Sequence, residues 1–183
     1  MIIRKTTKEI LVESFRELAE RKKINKITIK DITDNCGLSP ATFYRHYKDK
    51  YDLIAWDYAK RVREIMQRSS EESRTWKQVL LIFTEVYYEQ KDFFVNVLCH
   101  TGGYDSFVRH MTEVSIAEIE EFIKRKNGGK ELQEETMLYI RFYTLGAEQL
   151  ICEWLLGKIE AGPEKMAEIL EKAVPSSLAG YFD

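Results

Sequence analysis

The sequence predicts an all-α protein on three observations. The chain of 183 residues contains only three prolines and nine glycines, so few positions interrupt a helix. Its apolar residues recur three and four positions apart, which places them on one face of a helix. Alternating runs of β-branched residues, which indicate half-buried strands, are few. A content of 44% hydrophobic and 32% charged residues is typical of a globular protein with a sizeable core.

The first seventy residues predict four helices. The first runs from about residue 7 to 22 and has Leu11, Phe15, Leu18 and Ala19 on one face. Two short helices follow between about residues 28 and 47. A long fourth helix begins near Lys50 and loosens at the serine pair at 69 and 70.

Five further helices are predicted in the rest of the chain, and glycine-containing breaks separate several of them. They cover approximately residues 76–90, 92–100, 106–126, 131–156 and 163–174. We place the domain boundary at residue 50, which gives a small domain of residues 1–50 and a larger helical domain of residues 51–183.

The two short helices have the capping residues of a helix-turn-helix. Thr28 can cap the first helix, and Asp31 stands three positions later, where an acidic group favours a helix N-terminus. Gly37 suits the left-handed position that ends such a helix. Ser39 can cap the second helix, and Pro40 suits its first turn, where no N–H is needed.

The second short helix has one apolar face and one polar face. Phe43 and Tyr47 are four positions apart and can face inward. The residues left to face outward are Pro40, Ala41, Thr42, Tyr44, Arg45 and His46. Arg45 can present two parallel donors to O6 and N7 of guanine, and the hydroxyls and imidazole can bind phosphate oxygens. The alternative is an ordinary surface turn between two core helices.

The charge is unevenly distributed between the two predicted domains. Residues 1–50 contain 12 Lys and Arg against 7 Asp and Glu, whereas the remaining residues contain 16 against 23. A basic first domain on an acidic body suits a protein that presents one face to a polyanion such as double-stranded DNA.

Three strings in this region resemble the N-terminal DNA-binding domain of the TetR family of transcriptional regulators. They are TIKDI at residues 28–32, GLS at 37–39 and TFYRHYKDK at 42–50, followed by Leu53. The resemblance covers about residues 10–53. Cys36 and Tyr47 replace the more usual alanine and phenylalanine, and both keep an apolar body.

The resemblance implies a double-stranded DNA operator as partner and assigns a role to each matching residue. The residues implied to hold phosphates are Thr28, Thr42, Tyr44, His46 and Lys50. The residues implied to face bases are Ser39, Pro40, Ala41 and Arg45.

The C-terminal helices are the predicted dimer interface. Apolar residues cover much of the circumference of these helices, so each helix must bury more than one face. We expect some of these apolar residues to belong to the ordinary core. The resemblance implies a homodimer formed through the two C-terminal helices, and one short recognition helix reads few base pairs by itself. The residues assigned to this interface are Leu138, Phe142, Leu145, Trp154, Met166, Ile169 and Leu170.

The middle of the chain is rich in aromatic residues, and the resemblance implies an effector pocket there. A ligand pocket needs an apolar wall with a few polar groups, and a plain aromatic core is the alternative. The residues assigned to the pocket are Tyr87, Phe94, His100, Phe107, His110, Phe142 and Gln149.

A looser pattern consists of Phe142, Gly146, the Trp154–Leu155 pair and the run Pro163–Met166. With this pattern, the segment from about residue 90 to 183 resembles the C-terminal domain of a TetR subgroup that regulates dihydroxyacetone kinase operons. Some members of that subgroup activate transcription, and some respond to a protein partner. Taken with the helix-turn-helix, the resemblance to the TetR family implies an effector-responsive repressor that binds a near-palindromic operator as a dimer. A transcriptional activator and a DNA-independent helical module for ligand or protein binding are the alternatives, and the effector is a small molecule or a protein.

Other function classes lack their motifs in this sequence. The longest uninterrupted apolar stretch is Val79–Phe83, too short to span a bilayer, and no secretion signal is apparent. Three cysteines in such a chain favour reduced thiols and a cytoplasmic location. No zinc-protease motif, phosphate-binding loop or nucleophile elbow is present. We therefore expect no enzyme activity, no cofactor and no metal.

Overall fold

The computed structural model describes residues 5–101 and 104–182, and within these residues it contains helices and no strand. The prediction of an all-α protein is confirmed. A single 3-10 turn, Ile24–Lys26, lies between the first two α-helices. The helices are α1 (Thr7–Ala19), α2 (Ile29–Asn35), α3 (Pro40–Tyr44), α4 (Lys50–Glu71), α5 (Trp76–Glu89), α6 (Lys91–His100), α7 (Tyr104–Lys126), α8 (Glu134–Leu155), α9 (Pro163–Lys172) and α10 (Ser176–Phe182).

The C-terminal end contains one helix more than the sequence pattern predicts. Helix α9 ends at Lys172, and Pro175 separates it from α10 because proline has no N–H to donate and disfavours helical geometry in the residue before it. The Pro175 carbonyl then accepts from the Leu178 N–H at 2.8 Å, which begins the new helix. None of the helices in the described part of the chain is long and apolar enough to cross a membrane.

The chain divides into two compact units. The first contains the described residues up to Tyr58 together with those between Asp92 and Phe107, and the second contains the remainder from Ala59 onward. The division differs from a cut at residue 50, because the first part of α4 and the whole of α6 from Asp92 belong with the N-terminal helices. Helix α4 is continuous through the residue at which the two units divide.

The Asn96 side chain of α6 makes long-range hydrogen bonds within the first unit. The Asn96 amide nitrogen donates to the carbonyl of Ala19 at 2.8 Å and to that of Lys22 at 2.9 Å. Its amide oxygen accepts from the Ile24 N–H at 3.0 Å. The end of α1 and the 3-10 turn therefore find their hydrogen-bond partners on a residue more than seventy positions away in sequence.

An ion pair and an aromatic contact complete the same unit. Arg16 of α1 donates from Nε to Asp57 of α4 at 2.7 Å, and the Asp57 carboxylate is buried. The Arg16 guanidinium also lies over the Phe93 ring of α6, 4.3 Å from its centroid. Helices α1, α4 and α6 are thus joined through one arginine, whose planar head serves both contacts.

Aromatic stacking organises the second unit. Trp76 of α5 stacks on Phe182 of α10 with ring centroids 4.3 Å apart, and Phe182 stacks on Phe122 of α7 at 6.2 Å. The hydroxyl of Tyr143 on α8 donates to the carbonyl of Leu170 on α9 at 2.9 Å. Burial raises the pKa of Tyr143 to about 12. These contacts tie the last three helices to the body of this unit.

We expect Asn96→Ala to lower the free energy of unfolding of the first unit by about 2 kcal/mol, because three backbone groups lose their partner. Hydrogen exchange at the Ile24 amide should accelerate, since that N–H donates to the Asn96 side chain. Asn127→Ala, the same change at a turn of the second unit, is the matched control. An unchanged exchange rate at Ile24 would contradict the assignment.

Candidate nucleic-acid interface

Helix α2 begins with a reciprocal cap. The Thr28 hydroxyl accepts from the Asp31 N–H at 3.0 Å, and the Asp31 carboxylate accepts from the Thr28 N–H at 2.9 Å. The hydrogen bond from the Thr28 backbone holds the pKa of Asp31 below its ordinary value. The cap that the sequence predicts is therefore present, and it fixes the point at which the motif begins.

The turn between α2 and α3 is closed by a left-handed glycine. Gly37 has φ of +69°, a conformation that favours glycine. The Leu38 N–H donates to the Thr33 carbonyl at 2.9 Å, and the Gly37 N–H donates to the Asp34 carbonyl at 3.3 Å. This pair of bonds is the Schellman ending of a helix, and it sets the angle at which α3 leaves α2.

Helix α3 packs through its aromatic residues and exposes its polar ones. Ser39 caps it by accepting from the Thr42 N–H at 3.2 Å. Phe43 and Tyr47 are buried, as their spacing predicts, and their ring centroids lie 5.7 Å apart. Tyr44 is 60% exposed on the opposite side.

The predicted DNA-contacting residues of α3 lie on this exposed face. Arg45 donates to the Thr42 hydroxyl at 3.0 Å, and the Thr42 and Ser39 hydroxyls are 3.0 Å apart. One string of polar groups therefore runs from the start of the helix to its end. Ser39, Pro40, Ala41, Tyr44 and Arg45 are exposed, Thr42 and His46 are half-buried, and Thr28 is exposed at the start of α2.

Lys50 has partners within its own chain. Its ammonium donates to the carbonyls of Ile24 at 2.8 Å, Asn25 at 3.2 Å and Ile27 at 2.7 Å. An ammonium has three N–H groups, so these contacts use all of them. Burial lowers the pKa of Lys50. The structure thus gives Lys50 the role of holding the turn before α2, and a phosphate contact would require it to leave those carbonyls.

Two features that support this face were not found from the sequence. Asp49 caps α4 by accepting from the N–H groups of Tyr51 at 2.8 Å and Asp52 at 2.9 Å, and Asp52 accepts in return from the Lys48 N–H. The spacing of Asp49 and Asp52 is a recognisable capping pattern. The contacts of Asn96, by contrast, leave no local sequence signal.

The second unit contains a cavity, and most residues predicted to line an effector pocket lie elsewhere. The cavity has a volume of about 60 Å³. Of the predicted residues Tyr87 lines it. Phe94 and Phe107 are buried in the first unit, whereas Phe142 and Gln149 are exposed on α8.

The two predicted pocket histidines also lie away from the cavity lining. The ring Nδ1 of His100 is 3.1 Å from the Asn96 carbonyl oxygen of its own helix, and His110 is half-buried on α7. The abundance of aromatic residues in the middle of the chain was therefore not sufficient to identify the residues that line the cavity. Aromatic residues fill the cores of both units.

The residues assigned to a dimer interface divide into two sets. Trp154, Met166 and Leu170 are buried within the chain, where they are core residues. The other four are open to solvent. Leu138, Phe142 and Leu145 are 60%, 76% and 54% exposed on α8, and Ile169 is 37% exposed on α9.

Two family models match the chain. The model described as bacterial regulatory proteins of the tetR family matches residues 11–55, which contain the helix-turn-helix. The model described as a transcriptional regulator C-terminal region matches residues 74–176. The chain belongs to the TetR family of transcriptional regulators. Its α2–α3 motif is the DNA-binding helix-turn-helix of that family, and the family assignment predicted from residues 28–53 is confirmed.

Two solved structures have the same fold as this chain at low sequence identity. The dihydroxyacetone kinase operon activator DhaS has a solved structure with a TM-score of 0.70, 14% identity, and coverage of 97% of this chain and 98% of that one. FadR of Thermus thermophilus, a TetR-family repressor solved in complex with lauroyl-CoA, has a TM-score of 0.66, 16% identity, and coverage of 91% and 92%.

One curated relative is also similar in sequence. The activator DhaS of the dhaKLM operon in Lactococcus lactis subsp. lactis (strain IL1403) is 20% identical over 101 residues, which is 55% of this chain. The chain matches about half of that protein's length, 54%.

We expect Lys50→Met to lower the free energy of unfolding by about 1–3 kcal/mol, because three carbonyls lose their donor while the apolar stem is kept. The slope of log affinity against log salt for DNA should stay unchanged, measured well below the melting temperature. Lys48→Met, at an exposed neighbour, is the control. A slope smaller by about one for Lys50→Met would instead return that residue to the phosphate contacts.

Proposed function

We propose that this TetR-family protein is a sequence-specific regulator that binds a near-palindromic operator as a homodimer and responds to an effector. The observation that carries the proposal is the exposed polar face of α3, built on a capped and buried helix-turn-helix. Its side chains offer both phosphate-binding groups and an arginine suited to guanine. The basic charge of residues 1–50 favours approach to DNA.

We assign the reading of bases to the row of hydrogen-bonded side chains formed by Ser39, Thr42 and Arg45. The Thr42 hydroxyl accepts from Arg45 and lies beside the Ser39 hydroxyl. Held in this way, the guanidinium loses less rotational freedom on binding than a free arginine would. Pro40 and Ala41 are small and exposed, so this end of the helix can approach base edges closely.

Dimerisation is supported by the exposed apolar stripe on α8. Leu138, Phe142 and Leu145 follow the spacing of four and three that keeps residues on one helix face. Large apolar side chains in contact with water favour a partner surface, and exposed Ile169 on α9 extends the same chemistry. Two-fold pairing would present two recognition helices to successive major grooves, about 34–36 Å apart.

Effector response is supported by the cavity in the second unit and by the continuity of α4. Val62 and Met66 of this helix line the cavity, whereas Asp57 of the same helix pairs with α1 in the first unit. A ligand that shifts α4 therefore acts on an element that the DNA-binding unit also uses. Ligand and operator must then change each other's affinity by the same factor.

Repression is the sign of regulation that we propose, since a dimer bound across a promoter excludes polymerase without any further contact. Activation is the second candidate, because DhaS, similar in fold over almost the whole chain, is named an activator. A reporter driven by the recovered operator separates the two. If the protein is a repressor, its deletion raises expression of the reporter. If it is an activator, its deletion lowers that expression.

The test of the central proposal is selection of bound sequences from a random duplex library with the purified protein. An inverted repeat with half-sites about one helical turn apart is expected. Binding that stays weak and sequence-independent at low salt, with a folded dimer confirmed, would refute the proposal and favour a DNA-independent helical module.

For the selected operator, Arg45→Ala should relax base preference by about 1–3 kcal/mol, since a bidentate base contact is lost. The measurement is the ratio of affinities for operator and scrambled duplex at fixed salt. Arg21→Ala, an exposed arginine paired with Glu17 on α1, is the matched control. An equal loss of affinity for the operator and for the scrambled duplex would indicate that Arg45 contacts phosphates and not bases.

Phe142→Glu should convert the dimer to a monomer without unfolding it, because the side chain is 76% exposed in the chain itself. Light scattering after size exclusion gives the mass, and operator affinity should fall in parallel. Arg125→Glu introduces the same carboxylate at an exposed position of another helix, α7, and should leave the mass unchanged. A Phe142→Glu variant that remains dimeric would place the interface elsewhere.

A further inference from the structure

The segment that joins α1 to α2 is strongly basic. Residues 21–30 contain one arginine, four lysines and no acidic residue, and so hold five of the 12 basic residues of residues 1–50. Carboxylates elsewhere in the first unit compensate three of these five charges. The ion pairs are Arg21–Glu17, Lys22–Asp31 and Lys30–Asp34. The two basic residues that remain are Lys23 and Lys26.

Lys23 and Lys26 are exposed on the same side of the turn between the two helices. Side chains three positions apart in a 3-10 turn eclipse each other, and a rise of about 2 Å per residue separates them by about 6 Å. Ile24 and Ile27 are the buried pair with this spacing, at 0% and 1% exposure. Neither lysine side chain forms an ion pair or hydrogen bond with any residue that the structure describes. Both ammonium groups are therefore available to one anionic surface.

The backbone of the same turn is held from the inside. The Asn96 side chain accepts from the Ile24 N–H at 3.0 Å. The Lys50 ammonium donates to the carbonyls of Ile24 at 2.8 Å and Ile27 at 2.7 Å. Because these contacts fix the backbone before any ligand arrives, an anion bound by the two exposed lysines costs only the rotational freedom of their side chains.

The turn leads directly into the DNA-binding motif. Thr28, which the resemblance to the TetR family assigns to a phosphate, caps α2 only two residues after Lys26. Two residues of chain span at most about 7 Å, so duplex DNA that reaches Thr28 also lies beside the turn. Each strand of that duplex carries a phosphate about every 3.4 Å along its axis. Charge and position therefore favour the DNA backbone over an acidic protein as the partner of this surface.

We propose that the turn between α1 and α2 is a second phosphate-binding element, in which Lys23 and Lys26 bind the backbone of the duplex beside the half-site that α3 reads. Contacts to phosphate oxygens carry no sequence information. They add affinity and orient the helix-turn-helix without changing its preference for particular bases. The inference deepens the proposed function and rests on it for the position of the DNA.

The salt dependence of DNA binding by the full chain tests this element. The probes are the selected operator and a scrambled duplex of the same length. Replacing both lysines together, Lys23→Gln with Lys26→Gln, should reduce the slope of log affinity against log salt by about two on both duplexes, because each phosphate contact contributes about 0.9. The ratio of the affinities for operator and scrambled duplex should stay unchanged.

Two double variants are the controls. Lys23→Arg with Lys26→Arg keeps both charges and should keep the slope. Lys130→Gln with Lys158→Gln removes the same two charges from exposed positions of the second unit and should also keep it. All the substituted side chains are exposed, so thermal melting should show that each variant is as stable as the unmodified chain.

Neutral phosphates locate the contact on the operator. The phosphates of one half-site are replaced one at a time by uncharged methylphosphonates. Replacement of a phosphate that the turn binds should weaken binding of the unmodified chain but not of the double glutamine variant at Lys23 and Lys26. Replacement of a phosphate that the helix-turn-helix binds should weaken both proteins equally. Equal effects on both proteins at every position would contradict the proposal.

The outcomes distinguish this inference from the proposed function. An unchanged slope for Lys23→Gln with Lys26→Gln would overturn the inference, while selection of an inverted repeat would leave the proposed function standing. An equal decrease for Lys130→Gln with Lys158→Gln would also overturn it, because overall charge and not a local contact would then be responsible. If selection recovered no operator, the proposed function would fail, and the slope on the scrambled duplex at low salt would still decide whether the turn binds phosphates.

Discussion

The DNA-binding unit depends on the Asn96 side chain. Its amide serves the carbonyls of Ala19 and Lys22 and the N–H of Ile24, so α6 provides the hydrogen bonds that the end of α1 cannot make locally. Lys50 serves the other carbonyls of the same turn. The turn that leads into α2, and with it the recognition helix, is therefore held by two distant side chains, Asn96 of α6 and Lys50 of α4.

The local parts of this unit could be predicted from the sequence because their causes are local. The caps of Thr28 and Ser39, the left-handed Gly37 and the buried pair Phe43 and Tyr47 all involve partners within a few residues. Spacing and residue type are then sufficient evidence. The exposed polar face of α3 follows from these same positions, and its contacts with DNA stay a prediction.

The long-range parts could not be predicted in the same way. Nothing near Asn96 in sequence shows that its amide binds residues 19–24, and nothing near Phe94 shows that this ring is buried in the first unit and not in the wall of the cavity. Aromatic and apolar residues fill every core, so their number does not say which helices meet. The buried Trp154 and Leu170 were assigned to a dimer interface for the same reason.

Helix α4 contributes residues both to the DNA-binding unit and to the cavity that we propose as the effector site. Its first half holds Asp57, which pairs with Arg16 of α1, and its second half places Val62 and Met66 in the cavity wall. A helix transmits displacement along its axis because its backbone bonds are continuous. A ligand in the cavity changes DNA affinity only if the two DNA-binding states differ in their affinity for it. If the proposed effector response holds, we expect its coupling in α4 and in the Arg16–Asp57 pair, which joins that helix to α1.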